Sequence, residues 1–360
     1  MRLVWGRVLA VRRPVTDSML LSVLADDGAE GEAICYPALT GECRENDRVL
    51  LNTTAVDLTL GTGGRHFVVA RVAPGVAPVG VALDDTSGGH IMKLRYTPLQ
   101  CDVLSVEEPG SPHHERMRGA DSLDAMPVVC CSLHSHLPLV AAAVKERAPE
   151  ARVAYVMTDG ASLPLALSEL VRRCRDAGLI DVTITAGQSF GGELEAVTMH
   201  SGLLAARHAA ETDVAIVAIG PGVVGTASAF GHGGVAQGEA INAVGCLGGR
   251  PVASLRVSFA DERERHRGVS HHSLTALARV ALAPAWVAVP LLPAGQAAAL
   301  DAALAGAGVW ERHRRVEADG SLPDARDVQL KSMGRTPADD PAFFAAAAAA
   351  GRVAADLLSV

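Results

Sequence analysis

The chain lacks the marks of several protein classes. No apolar run reaches the roughly 20 residues a membrane-spanning helix needs. In the N-terminal "MRLVWGRVLAVRRPV", Arg7 interrupts the apolar stretch early, so neither a membrane span nor a signal peptide is expected. The seven cysteines include no C-x-x-C pair. An odd number without that spacing suits a reducing cytosol better than a disulfide framework. Positive charge is not in excess: the formal net charge is -8, which argues against a general nucleic-acid binder. Lysine is scarce and arginine carries most of the basic charge, as a GC-rich genome would produce, so arginine frequency alone does not mark a site. The zinc-protease spacing H-E-x-x-H is absent. The "GASLP" around Ser162 lacks the G-x-S-x-G elbow of serine hydrolases. Ser162 reads instead as a helix cap, with Pro164 in the first turn.

What is present describes a folded protein. With 360 residues, 49% hydrophobic and 20% charged, the chain is long enough for two domains and a sizeable core. Residues 1–100 carry short β-type runs such as "RLVWGRVLAV", "SMLLSVL", "DRVLLNTTAV" and "HFVVARV". Turns such as "ADDGAEGE" and "LGTGGR" separate them, which predicts a small β-barrel or sandwich. Residues 101–125 read as an irregular linker. From 126 to 360 the texture changes. Apolar runs "PVVCCSL", "ARVAYVMT", "DVTITAG", "DVAIVAIG", "PVASLRVSF" and "AWVAVPL" alternate with helical ones. That alternation predicts a doubly wound, mostly parallel, Rossmann-like α/β domain. A further edge strand is expected in "WERHRRVEADGS", and a C-terminal helix capped by Asp340 with Pro341 at its first position.

Such a sheet has two edges, and they differ here. The turns after helices ("KERAPEA", "RDAGLI", "LGGR") are plain. The loops after strands hold His134, His136, Asp159, Gln188, Glu193, His232 and the run "RERHRGVSHHSLTAL". Ligands bind at that edge, above all where the strand order reverses. Gly220, Gly222 and Gly225 in "GPGVVG" fit G-x-G-x-x-G, but no helix follows at once and the acid expected about 20 residues on is missing. The loop therefore suits a backbone-lined pocket for an anionic group better than a dinucleotide site. Arg263, Arg265 and Arg267 suit a phosphate or carboxylate, which a guanidinium grips with two parallel hydrogen bonds. Ser270 is a fair N-cap for the helix that follows. His266 or His271 is the candidate general acid/base, with Asp159 to orient it.

A divalent metal is a second possibility. If extended, His134 and His136 point the same way, and His232, Asp159 or Glu193 would complete a site. The adjacent His271 and His272 are not expected to share an ion, since neighbours on a helix diverge by about 100°. Cys130 and Cys131, ending a strand beside His134, are candidate thiolates or plain packing residues.

The stretch "GPGVVGTASAFGHGGVAQGEAINAVGCLGGRPVASLRVSFADERERHRGVSHHSLTAL", with "RVLLNTTAVDLTLGTGG", "HIMKLRYTP" and "MGRTPADDPAFF", resembles an uncharacterised bacterial family, largely actinobacterial, known as a domain of unknown function. The resemblance spans nearly the whole chain and implies no activity or catalytic residue. Three functions stay open: an enzyme acting on a small anionic metabolite by hydrolysis or group transfer, a non-catalytic ligand sensor or scaffold, and a metal-dependent hydrolase. The expected partner is a small anion rather than nucleic acid or membrane. A homo-oligomer is plausible only by analogy with other two-domain proteins.

Overall fold

A computed structural model describes residues 1–12, 18–59, 64–72, 83–84 and 87–359. The expected turn around 60–63 lies outside these. The chain divides into two compact units, Met1–Ser111 and Pro112–Val360.

The first unit is a closed barrel rather than a sandwich. Its strands are β1 (Arg2–Arg12), β2 (Met19–Ala25), β3 (Glu30–Cys35), β4 (Arg48–Asn52) and β5 (Arg65–Val72). They run β1-β2-β3-β5-β4 and close back on β1. Only the β3–β5 pairing is parallel within this ring. In β2 the period of two is plain: Met19, Leu21, Val23 and Ala25 are buried and the residues between them are not. With Val8, Ala33, Val49, Leu51 and Val68 they fill the interior. Closure leaves no open edge within the ring, and register shifts in β1 and β4–β5 supply the bends it needs.

The stretch 101–125 is not one linker. Cys101–Val103 pairs with Ile91–Lys93 in the first unit, and His114–Arg118 is a short helix of the second.

The second unit is the doubly wound domain. The eight strands of its main sheet are β6 (Pro127–Cys131), β7 (Val153–Thr158), β8 (Val182–Ala186), β9 (Leu194–Ala196), β10 (Val214–Ile219), β11 (Arg250–Ser254), β12 (Trp286–Pro290) and β13 (Arg314–Ala318). All pairings are parallel, in the order β9-β8-β7-β10-β6-β11-β12-β13. β9 falls inside "ELEAVTMHSGLLAARHA", one of the helical runs expected between the apolar ones. The chain makes three extended residues there, and Thr198 then opens the helix Met199–Leu204 with a reciprocal cap to Ser201. Likewise Ser168, not Ser162, caps the helix Glu169–Asp176, accepting from the Val171 amide.

Central strands such as β6, β8 and β10 are buried along their whole length, as a sheet covered on both faces requires. Among the helices are α1 (Leu137–Arg147) and α2 (Pro341–Asp356). They pack together where Gly351 lets the backbones meet: a Cβ there would stand 2.3 Å from the Val140 carbonyl oxygen. The C-terminal stretch Pro341–Ser359 is long and apolar enough to cross a bilayer by composition, but most of it is buried inside the protein. Its apolar character is that of a core helix.

The strand order reverses direction twice. β7 connects outward to β8, whereas its neighbour β10 connects across β6 to β11. β6 connects back to β7, whereas its neighbour β11 connects outward to β12. Divergent connections open crevices at the C-terminal tips of the strands, and these two lie over the middle of the sheet.

Candidate functional site

A cleft of about 530 Å³ lies over those tips. Three loops build it: 132–136 after β6, 220–232 after β10 and 255–270 after β11. A fourth wall comes from the tight turn at Ser332–Arg335, held by hydrogen bonds of 2.9 Å in both directions. Ser332 reaches Ser135 at 2.9 Å and ties this turn to the loop after β6.

Of the residues picked out from sequence, His134, Gly220, Gly222, Gly225, Arg263, Arg265 and His266 line the cleft. His232, His271 and Ser270 stand just behind its wall. Arg267 and Asp159 do not line it. Both are exposed, and the Asp159 carboxylate accepts from the Gln188 amide at 2.9 Å. The expectation that Asp159 orients a catalytic histidine is therefore corrected. Glu193 is likewise occupied elsewhere, with Arg175 and Thr183.

The cleft's strongest groups were not anticipated. Arg256, Lys331 and Met333 all line it. Arg256 sits in "PVASLRVSF", which reads as one apolar strand. β11 stops at Ser254, however, and Arg256 turns into the site while staying 3% exposed. The one signal was an arginine inside an otherwise apolar run. Arg256 Nη1 donates to His272 Nδ1 at 3.3 Å, and its Nη2 lies 3.9 Å from the Asp261 carboxylate. Asp261 is the hub behind the site. It takes two hydrogen bonds of 2.9 Å from the Arg263 guanidinium and one of 3.3 Å from Arg335. Those arginines, Arg263 first, hold its carboxyl far below the usual carboxylate range. Asp340 completes the frame, accepting from Ser258 at 2.6 Å and from Arg335 at 3.1 Å. Arg263 is thus a structural partner of Asp261 as well as a lining residue of the cleft. Arg265 and Lys331 pair with no carboxylate among the described residues.

Four histidines meet at one wall. The rings of His232 and His272 stack at 3.9 Å between centroids, 7° from parallel. His271 lies 5.0 Å from His232 and 4.5 Å from His272. His266 lies 5.1 Å from His271 and 4.9 Å from His272. Ser270 caps the helix His271–Thr275 by accepting from the His272 amide, and it also bonds His266 Nδ1 at 2.7 Å. Gly225 is required beside the stack, because a Cβ there would come within 2.8 Å of the His232 Cβ. The expectation that His271 and His272 point apart is corrected: one nitrogen from each of His232, His271 and His272 falls within 4.8 Å of the others. Burial, followed by Arg256 and Arg263, pushes His266 down to about 3. Burial and the neighbouring positive groups also lower His271. Both rings are neutral near pH 7, so neither starts as a general acid there.

His134 and His136 do not form a metal pair. His134 lines the cleft, but its nitrogens are taken by Tyr155 at 2.8 Å and Ser168 at 2.6 Å. His136 turns away to Ser254 at 2.8 Å and packs its ring against Phe343. The short helical turn His134–His136 replaces the extended backbone that would align them. Cys130 and Cys131 are buried thiols raised by that burial, the opposite of an activated thiolate.

Fold and site together define a barrel-plus-α/β protein with a basic, histidine-walled cleft at the switch points of its parallel sheet. Residues 32–351 match the family described as protein of unknown function (DUF3866), and the chain belongs to it. No curated protein and no solved structure matches the chain.

Proposed function

We propose that the cleft binds a small anionic metabolite through phosphate or carboxylate groups, and that the chain is a cytosolic enzyme of the hydrolase or transferase kind. One observation carries this reading: the charge of the lining. Arg256, Arg263, Arg265 and Lys331 face the cleft, and among the described residues no carboxylate does. Their counter-charge, Asp261, lies behind the wall and already serves three arginines. An anion entering the cleft meets uncompensated positive charge at the edge of a low-dielectric sheet, where each contact is stronger than in water. The position over the switch points supports the same reading, because α/β sheets present ligands there. Reduced cysteines without a C-x-x-C pair support the cytosolic location.

The test is thermal unfolding of the whole chain, in the presence of a chelator, with inorganic phosphate, pyrophosphate, nucleoside phosphates and dicarboxylates. At about 100 times its Kd a true ligand stabilises by about 2.7 kcal/mol, a rise of several degrees. The variant Arg265→Ala with Lys331→Ala should lose most of that rise while melting like wild type without ligand. If no anion stabilises wild type more than the double variant, the reading fails.

A further inference from the structure

We propose that His232, His271 and His272 form a divalent metal site in the wall of the cleft. Three independent features point to it. First, one nitrogen from each ring falls within 4.8 Å of the others, so that turning the stacked His232 and His272 rings out of parallel would bring all three lone pairs to one ion at about 2.0–2.1 Å.

Second, two of those rings carry buried nitrogens with no hydrogen-bond partner, His232 Nδ1 and His271 Nε2. Buried polar atoms are nearly always satisfied, and an orphan needs a reason. Two orphans on adjacent rings have one common reason in a shared ion.

Third, the outer contacts suit ligation. His232 Nε2 donates to the Ala229 carbonyl at 2.9 Å, which fixes the tautomer with a free lone pair on Nδ1. That is the backbone bond through which metal-bound histidines are commonly oriented. Ala229 is itself placed by a tight hairpin, in which Thr226 donates its amide to Gly231 O at 2.7 Å and Gly225 bridges His232. The structure thus builds a loop whose effect is to set one imidazole. His272 completes the set through Nε2, beside the space kept open at Gly225. Ligation there puts the ring proton on Nδ1, which ends its long 3.3 Å contact with Arg256 and frees that donor for the cleft.

Three neutral imidazoles leave the ion's charge uncompensated, and three protein ligands leave a coordination position open. His272 lines the cleft, so the missing ligand comes from that side. Resting on the anion-binding reading above, the geometry makes that ligand an oxygen of the bound phosphate or carboxylate. The ion and Arg265 would then hold one anion from two directions. The set, all nitrogen and without a carboxylate, suits zinc or another borderline transition ion rather than magnesium or calcium.

The whole chain, stripped with chelator and dialysed, is titrated with zinc alone by calorimetry and with cobalt(II) alone by visible absorption. One equivalent is expected, with intense four- or five-coordinate cobalt bands. X-ray absorption of the zinc-loaded wild type should show three imidazoles. His232→Ala and His271→Ala should each weaken binding by at least ~100-fold, beyond the roughly 10–100-fold effect of losing an outer-shell partner. Should a buried variant fail to fold, the wild-type spectroscopy stands alone: substoichiometric metal, or a first shell without about three imidazoles, overturns the proposal. So does unchanged affinity in a folded His232→Ala, His271→Ala double variant. Phosphate stabilisation measured with chelator present is scored separately. Phosphate binding without metal binding sinks the metal site and spares the cleft, and metal binding without phosphate binding does the reverse.

Discussion

At the scale of single residues, the site depends on one carboxylate. The side chains of Asp261 and Arg256 are each 3% exposed, and Asp261 also fixes Arg263 and Arg335. Removing the charge in Asp261→Asn leaves Arg256 buried with nothing opposite it, a loss of about 3 kcal/mol or more. The more exposed Arg263 adds little to that figure, because solvent screens it. The same change removes the carboxylate charge that Arg256 and Arg263 share and releases Arg263 toward the cleft. Asp261→Asn should therefore lower the urea midpoint and yet tighten phosphate binding. A variant that loses stability and affinity together would show that Asp261 positions the arginines rather than restraining their charge.

Among the elements, the helix pair beneath the sheet gives a sharper test of packing. Gly351 lies mid-helix in α2, where alanine is favoured over glycine by about 1 kcal/mol. A Cβ at that position, however, would stand 2.3 Å from the Val140 carbonyl and 2.7 Å from the Ala143 side chain. Overpacking of this kind costs about 1–3 kcal/mol, and here the near atom is backbone, which cannot rotate away. Gly351→Ala should lower the melting temperature, whereas the same change at exposed Gly295 in helix Ala294–Gly306, where a Cβ meets nothing, should not. A neutral Gly351→Ala would mean that the two helices slide apart freely.

Elements of this sort were legible in sequence where their signal is local. The continuous apolar runs of β6, β7, β8, β10 and β12 and the start of α2 at Pro341 fall in that class, although the Asp340 carboxylate serves Ser258 and Arg335 rather than capping the helix. β9 was not, because three residues carry no period and its pairing with β8 is non-local. At the site, "RERHRGVSHH" announced the loop, but three features depended on tertiary placement. Arg256 was hidden in an apolar run. Lys331 and Met333 arrive from a turn over sixty residues on. His271 and His272 converge because His271 opens its helix, where the ring can swing back over the cap.

For the molecule as a whole, acid should be the weak side. His134 and His136 are held neutral in the core of the α/β unit, His134 down at about 4 and His136 at about 3, with burial the first cause of each. In the unfolded chain both return to about 6.5. The unfolded state then binds more protons than the folded one over the interval between, so stability falls as pH falls. The loss begins as pH drops through about 6.5 and continues toward pH 4, each pKa unit of difference being worth about 1.4 kcal/mol per histidine. Above pH 7 both rings are neutral in either state and add no slope. Urea midpoints should therefore be level from pH 7 to 8 and fall steadily from pH 6.5 to 4.5. In His134→Gln, which keeps donors and acceptors for Tyr155 and Ser168, the acid slope should flatten even if the pH 7 midpoint is lower. An unchanged slope would mean that His134 takes up its proton without unfolding, through water reaching the cleft it lines.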